Sequence, residues 1–463
     1  MIGRTNRLLV LLAAVEWLVA FCADAAQMTP GPGLAESVQL ADGSQVVGFV
    51  ESEDDHWVYV VELRPHAGGQ PRLALRIIDR QQVTLVNRLD PRRRETLRRQ
   101  MAPLRLRAEV EPISIESVEL EESSRPAPPG FRYTGRWFIA RCATDRTIAR
   151  RLVVRMEQAY AAYRCVLTPR TEPGRPLEVV VFGSSDQYQT YLAQRGLRTA
   201  ARAVFFPEDN LVVAGSELDR FATERQHLYA EHERLKGELA QLRSQLAERL
   251  QTLGRQLRAR GAPRSHIGRL LRREKRQAEE RIQEKEKAIE RIQRHNVEAF
   301  EEAAQETLVR LYHEMFHAYL DNHVYPHQRY CVPCWLDEGL AMIAETGRLP
   351  SGAFRLGRLN PRALDRLEKD GPLRLREILQ SDGHDFLAIG HDSSDRSQSY
   401  YASAWALTYY LVFERHLLDT DALDRYVSRQ ASELPPDERF RELVGQPLGD
   451  FETAWRRYIS QWF

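Results

Sequence analysis

From about Glu217 to Phe300 the chain carries a single proline, Pro263, and is dense in Glu, Arg, Gln and Leu. Phe221, Leu228, Leu235, Leu239, Leu242, Leu246, Leu250, Leu253 and Leu257 step by three, four or seven, which is the spacing of a coiled-coil seam. Gly261-Ala262-Pro263 interrupts the pattern, and Ile267, Leu271, Ala278, Ile282, Ile289 and Ile292 resume it. The pattern predicts an antiparallel helical hairpin over 216–300, each arm of about 45 residues reaching roughly 65 Å at about 1.5 Å per residue. Acids are interleaved with the Arg and Lys of its faces, so the expectation is a solvated surface that serves a protein partner or self-association, not nucleic acid or a membrane surface. Lys+Arg 66 against Asp+Glu 65 leaves a net charge of +1, so no global field favours a polyanion either.

The hairpin divides what remains. At 463 residues the chain is long enough for about three domains, and 43% hydrophobic residues supply ordinary cores and exclude a wholly disordered chain. Residues 1–26 have the form of a secretory signal: Arg4 and Arg7, an apolar run from Leu8 to Phe21, then Ala23-Asp24-Ala25. Glu16 spoils that run as a membrane span, and the bulky Phe21 argues against lipid attachment at Cys22. No later segment is apolar enough to span a bilayer, so the expected mature chain is exported, whether periplasmic, cell-surface or extracellular. Export makes Cys142, Cys165, Cys331 and Cys334 disulfide-permissive, and proximity in sequence suggests the pairs Cys142–Cys165 and Cys331–Cys334.

Residues 34–121 read as a small β-rich domain. Val38–Leu40, Val46–Val50, Trp57–Val61 and Leu73–Ile77 are rich in strand formers, Asp42-Gly43 and Gly68-Gly69 mark turns, and Pro91–Met101 is a helix behind them. Residues 122–130, with three prolines in Ser123–Gly130, read as a linker. Residues 131–215 alternate strand, helix and strand: Arg136–Ala140, Thr147–Tyr163, Leu177–Phe182, Ala203–Phe206 and Leu211–Val213. The expected fold class is therefore α+β, with the hairpin inserted between an α/β layer and a mostly helical region, 301–463.

The chemistry sits just past the hairpin. His313-Glu314-Met315-Phe316-His317 falls on a helix flanked by uncharged residues, and residues four apart share a helix face. His313 and His317 can thus offer two imidazoles to one zinc ion, with Glu314 beside them to take a proton from an activated water. Trp335-Leu336-Asp337-Glu338-Gly339-Leu340-Ala341 opens a second helix that can fold back and bring Glu338 to the metal. His323, six residues after His317, is a rival third ligand at a spacing that resembles the metzincins, but those enzymes need a glycine at the sharp turn where this chain has Leu320. Asp321 reads as a helix-end acid or a support for a ligand.

The His-Glu-x-x-His followed by Trp-x-x-Glu-Gly-Leu-Ala resembles the gluzincin superfamily of zinc metallopeptidases, and within it an uncharacterised group of exported bacterial peptidase-MA-like proteins. The likeness covers roughly 131–215 and 299–463. It implies a zincin-like layer and a helical lobe on either side of a cleft, zinc held by His313, His317 and Glu338, and Glu314 as general base acting on a peptide or protein substrate. Related enzymes steady the oxyanion with a tyrosine from a downstream helix, which makes Tyr400 and Tyr401 candidates here. His384 and His391, in a Gly- and Asp-rich loop, read as ordinary loop histidines. The competing expectation is a peptidase-fold envelope scaffold that acts through its coiled coil without turnover.

Overall fold

A computed structural model describes residues 35–64, 72–124, 129–349, 351–386 and 391–463, excluding the side chains of 100, 103, 224–229, 231, 296–297 and 391–394. The expected export signal, the Gly68-Gly69 turn, the centre of the 122–130 linker and the side chain of Leu228 lie outside the described residues. The fold is α+β, with two six-stranded sheets and many helices.

The first sheet is built from β1 (Glu36–Leu40), β2 (Gln45–Glu53), β3 (Trp57–Arg64), β4 (Arg72–Asp79), β5 (Val83–Asn87) and, after helix α1 (Pro91–Arg105), β6 (Glu109–Val110). Its order is β5-β1-β2-β3-β4-β6, antiparallel except for the β4–β6 pair. Alternation along β3 explains why the sheet is buried on both faces. Val58 and Val60 join Val38, Val46, Val50 and Ile78 in one core, whereas Trp57 and Tyr59 point the other way. The Trp57 indole donates to the Tyr133 hydroxyl at 3.1 Å, and the Arg164 guanidinium lies 4.4 Å over the Tyr59 ring.

The second sheet runs β11-β12-β10-β9-β8-β7. Its strands are β7 (Glu121–Ser123), β8 (Gly130–Thr134), β9 (Phe138–Ala143), β10 (Leu177–Phe182), β11 (Ala203–Phe206) and β12 (Leu211–Gly215). The expected linker is therefore corrected at its start: Glu121–Ser123 pairs with Gly130–Arg132, and Glu121 faces Arg132 at 3.7 Å. Between β9 and β10 lies α2 (Arg146–Val166), capped by the Asp145 carboxylate on the amides of Thr147 and Ile148. Nearly every residue of α2 from Leu152 to Cys165 is buried, as expected of a helix with protein on all sides.

Two compact units emerge. One comprises the N-terminal part to Val181, then 199–214 and 307–463; the other comprises 182–198, with helix α3 (Ser185–Gln194), and 215–306. The second unit is the helical hairpin, α4 (Leu218–Ala259) returning as α5 (Arg264–Tyr319), and the chain turns at Gly261 with φ +71°. The described leucines of the α4 seam are half-buried while most of their neighbours are exposed. Arm-to-arm ion pairs confirm the antiparallel register: Lys285 with Glu238, Arg243 with Glu286, and Arg249 with Glu274 at 3.9 Å. From Thr307 onward α5 belongs to the first unit.

All four described cysteines are free, which overturns the expected bridges. Cys142 is buried on β9, whereas Cys165, at the end of α2, sits among Glu51, Arg105 and Arg164. Cys331 is held in the loop by its amide on the Val427 carbonyl, and Cys334 begins the next helix.

Candidate active site

The site is assembled by two helices and a strand edge. The last part of α5 is packed on every side but one: Leu311, Tyr312, Met315, Phe316 and Tyr319 are each at most 2% exposed. The Tyr163 hydroxyl donates to the Tyr312 carbonyl at 2.9 Å, and the Phe316 ring meets Tyr163 edge-on at 5.1 Å. This fixes the rotation of the helix and with it the face that carries His313 and His317. The helix then ends in a π-helical turn, Leu320–Val324. The following loop is tied down by the Tyr330–Ser428 bridge and by the Arg439 guanidinium on the Cys331 carbonyl at 2.7 Å. Helix α6 (Cys334–Glu345) starts there, after Pro333.

Helix α6 lies against a later helix, α7 (His391–Tyr409), with almost no separation. A Cβ on Gly339 would stand 2.1 Å from the Thr408 hydroxyl oxygen and 2.7 Å from the Ala404 carbonyl oxygen. Only glycine permits this approach, and Glu338 is its immediate neighbour.

Three side chains converge. The Nε2 atoms of His313 and His317 stand 3.1 and 3.7 Å from Glu338 Oε2, and the three ligand atoms all lie within 4.8 Å of one another. Ligands about 2.0–2.1 Å from a tetrahedral zinc stand roughly 3.3 Å apart, so the cluster has the dimensions of such a site. The other nitrogen of each ring is tied to a carboxylate: His313 Nδ1 to Glu345 Oε1 at 2.9 Å, and His317 Nδ1 to Asp337 Oδ1 at 2.8 Å. With Nδ1 committed to a carboxylate, each ring leaves its Nε2 for Glu338 or, once that nitrogen gives up its proton, for a metal. Glu345 is itself held by Asn360 Nδ2 at 3.3 Å and Arg310 at 3.4 Å. The donor set and its supports fit a divalent zinc ion.

Glu314, on the same turn, turns its Oε2 to the Phe205 amide at 2.9 Å, a donor on the edge strand β11. Burial raises the Glu314 carboxyl above its ordinary range, partly offset by the two histidines. Burial alone would lower His313, but hydrogen bonds to Glu338 and Glu345 outweigh it and bring the imidazole up to about 9. Glu338 is held well below the usual carboxylate range because bonds from both histidines overcome the cost of burial.

The two tyrosines separate. Tyr401 stacks edge-on against Phe386 at 5.0 Å; burial and then the charges of Glu338 and Glu314 push its phenol up. Tyr400 instead accepts from Arg396 at 3.4 Å and joins no site residue. His323 is not a ligand. The π-helical turn packs its ring against Trp137 at 5.1 Å and Tyr319 at 5.4 Å, with Nδ1 3.3 Å from the Thr171 carbonyl oxygen. Asp321 is a helix-end acid, bonded to the amide of His327 at 2.7 Å and to its ring at 2.8 Å. His384 is exposed in the short helix Gly383–Phe386, and the side chain of His391 lies outside the described residues.

Asp337 and Glu345 were not singled out by sequence reasoning. Glu345 had a readable signal, since it ends an otherwise apolar run and lies two turns after Glu338 on the same face. The Phe205 contact had none, because a backbone amide has no residue type.

Residues 307–437 match the family model described as "Protein of unknown function (DUF1570)". The matched segment contains His313, Glu314, His317, Asp337, Glu338, Glu345 and Tyr401. No curated protein matches the chain, and no solved structure does.

Proposed function

We propose that the chain is an exported zinc-dependent metallopeptidase of gluzincin type. The observation that carries this reading is the convergence of His313, His317 and Glu338 with both Nδ1 atoms engaged by carboxylates. Two ordinary helix histidines need no pair of carboxylate tethers that aims both Nε2 atoms at a third carboxylate. His313, His317 and Glu338 would hold the ion, which supplies Lewis-acid activation of water and of a peptide carbonyl.

The protein's own groups do the rest. Glu314 takes the proton of the attacking water and delivers it to the leaving amine, and its raised affinity for protons suits that exchange. The Phe205 amide fixes one oxygen of Glu314, leaving the other to face the reacting atoms. Tyr401, near both carboxylates and protonated, is the donor for the oxyanion. Asp337 and Glu345 hold the imidazoles in one tautomer and orientation.

The test is zinc content together with hydrolysis of a peptide library. The expected result is about one zinc per chain, lost in Glu338→Ala. Hydrolysis should fall by about 10²–10⁴-fold in Glu314→Gln while zinc is retained. Zinc without hydrolysis in the native chain would favour the scaffold reading, and no zinc uptake at all would remove the metallopeptidase.

A further inference from the structure

The charge of the hairpin is not spread evenly along it. The stem, 218–254 and 277–306, carries 11 cations against 15 acids, and there the interleaving read from the sequence holds. The tip does not follow that rule. Residues 255–276 hold nine cations and one acid, a net +8 in a chain whose total is +1, so everything outside the tip sums to −7.

The cations of the tip are not consumed internally. Its one acid, Glu274, faces Arg249 of the stem at 3.9 Å. Lys275 and Arg276 pair with Glu279 and Glu280 one turn on. That leaves Arg255, Arg258 and Arg260 at the end of α4 and Arg264, Arg269, Arg272 and Arg273 at the start of α5. All seven are exposed and make no ion pair among the described residues.

Helix stability explains only part of this. Arg255 and Arg258 complement the negative end of α4, but the first turn of α5 contains Arg264 and no acid, where a cation is unfavourable. The turn at Gly261 also folds the two groups of arginines back on each other, so that like charges crowd at one end of a rod. An arrangement that works against its own helix and its own charges calls for an external anion.

We infer that the hairpin tip docks on the surface of an anionic phospholipid bilayer. Clustered Lys and Arg on a helix are drawn to anionic headgroups, each worth about fivefold in partition. The tip contains no Phe, Tyr or Trp, so it lacks the stacking platform of single-strand nucleic-acid binders. Export, as read from residues 1–26, would put the chain beside a bilayer surface and away from the nucleic acid of the cell interior. The inference is independent of zinc and of hydrolysis.

The experiment is co-sedimentation of the purified chain with vesicles of phosphatidylglycerol and phosphatidylcholine in equal parts, against phosphatidylcholine alone. Binding is expected only to the anionic vesicles, weakening as salt rises. The combined variant Arg255→Gln, Arg258→Gln, Arg269→Gln, Arg272→Gln and Arg273→Gln should lose it by at least about a hundredfold, given roughly fivefold per residue. Lysine at the same five positions should keep it, which separates charge from folding. A stem variant with as many cations removed, Lys236, Arg281, Lys287, Arg291 and Arg294 each to Gln, should bind as the parent does. Equal binding to neutral vesicles, an equal loss in the stem variant, or tip-dependent binding to an RNA or DNA duplex but not to vesicles would each overturn the inference.

Discussion

The helix Arg264–Tyr319 lives under two regimes. Toward its start, seam residues such as Leu271 and Ile282 are half-buried, and their neighbours are in solvent. Toward its end Leu311, Met315, Phe316 and Tyr319 are sealed, and the two histidines between them each face two carboxylates. A seam specifies that helices pair and in what direction, and many sequences do that equally well. A sealed helix face specifies orientation to a fraction of an ångström, which a metal site requires. Three experiments test whether this difference is real.

The largest effect should come from packing. Phe316→Ala removes a ring that meets Tyr163 edge-on, and a fully buried Phe→Ala change costs about 3–5 kcal/mol. Leu271→Ala, in the half-buried seam, should cost about 1 kcal/mol because less apolar area leaves water. Thermal unfolding of both variants beside the parent measures the contrast. Equal shifts in midpoint would mean that the two ends of the helix are equally specified, contrary to the burial pattern.

Next come the supports of the imidazoles. Asp337→Ala or Glu345→Ala leaves all three proposed ligands in place, so zinc binding should persist but weaken by about 10–100-fold. Competition with a chelator of known affinity reads this directly. The Glu345 variant should be the more harmful, since Glu345 is also the partner of Asn360 and Arg310. If affinity is unchanged in both, the carboxylates neutralise charge without orienting the rings.

The same division governs what could be read in advance. The hairpin was legible to its breaking residues, because a repeat of three and four needs no partner beyond itself. Strand Leu177–Phe182 and helix Cys334–Glu345 were legible for a related reason: runs of Val, or of apolar residues opened by Pro333, carry their own signal. His313, Glu314, His317 and Glu338 were legible as a spacing. Asp337 and Glu345 were not, since their role exists only once the second helix has turned back on the first. Strand Val83–Asn87, short and half polar, went unread because β1 supplies its partner from 45 residues earlier. The cysteines misled because nearness in sequence is not nearness in space: Cys165 leaves α2 beside Glu51 and Arg105 of the first sheet region, not beside Cys142.

The smallest effect should be a change of slope and should appear only in the packed region. Helix α2, against which the end of α5 lies, contains one fully buried acid, Glu157, whose Oε1 accepts from the Tyr133 hydroxyl at 2.8 Å. Burial raises its carboxyl to about 7, with Asp54 adding to the rise and Tyr133, Arg164 and Tyr59 opposing it. A folded-state value above the unfolded one means that the native chain keeps a proton which the unfolded chain has released. Stability therefore falls as pH rises from about 4.5 to about 7 and is flat in this respect above it. Glu157→Gln keeps an acceptor for Tyr133 and cannot ionise, so its unfolding midpoint should lose that downward component across the same window. The exposed Arg243–Glu286 pair of the hairpin offers the control, because an exposed ion pair contributes little at any pH in this range. Parallel midpoint curves for the parent and Glu157→Gln between pH 4.5 and 8 would show that Glu157 is ionised in the native chain. The α2 floor would then hold a charge pair with Arg164 where a neutral hydrogen bond is expected.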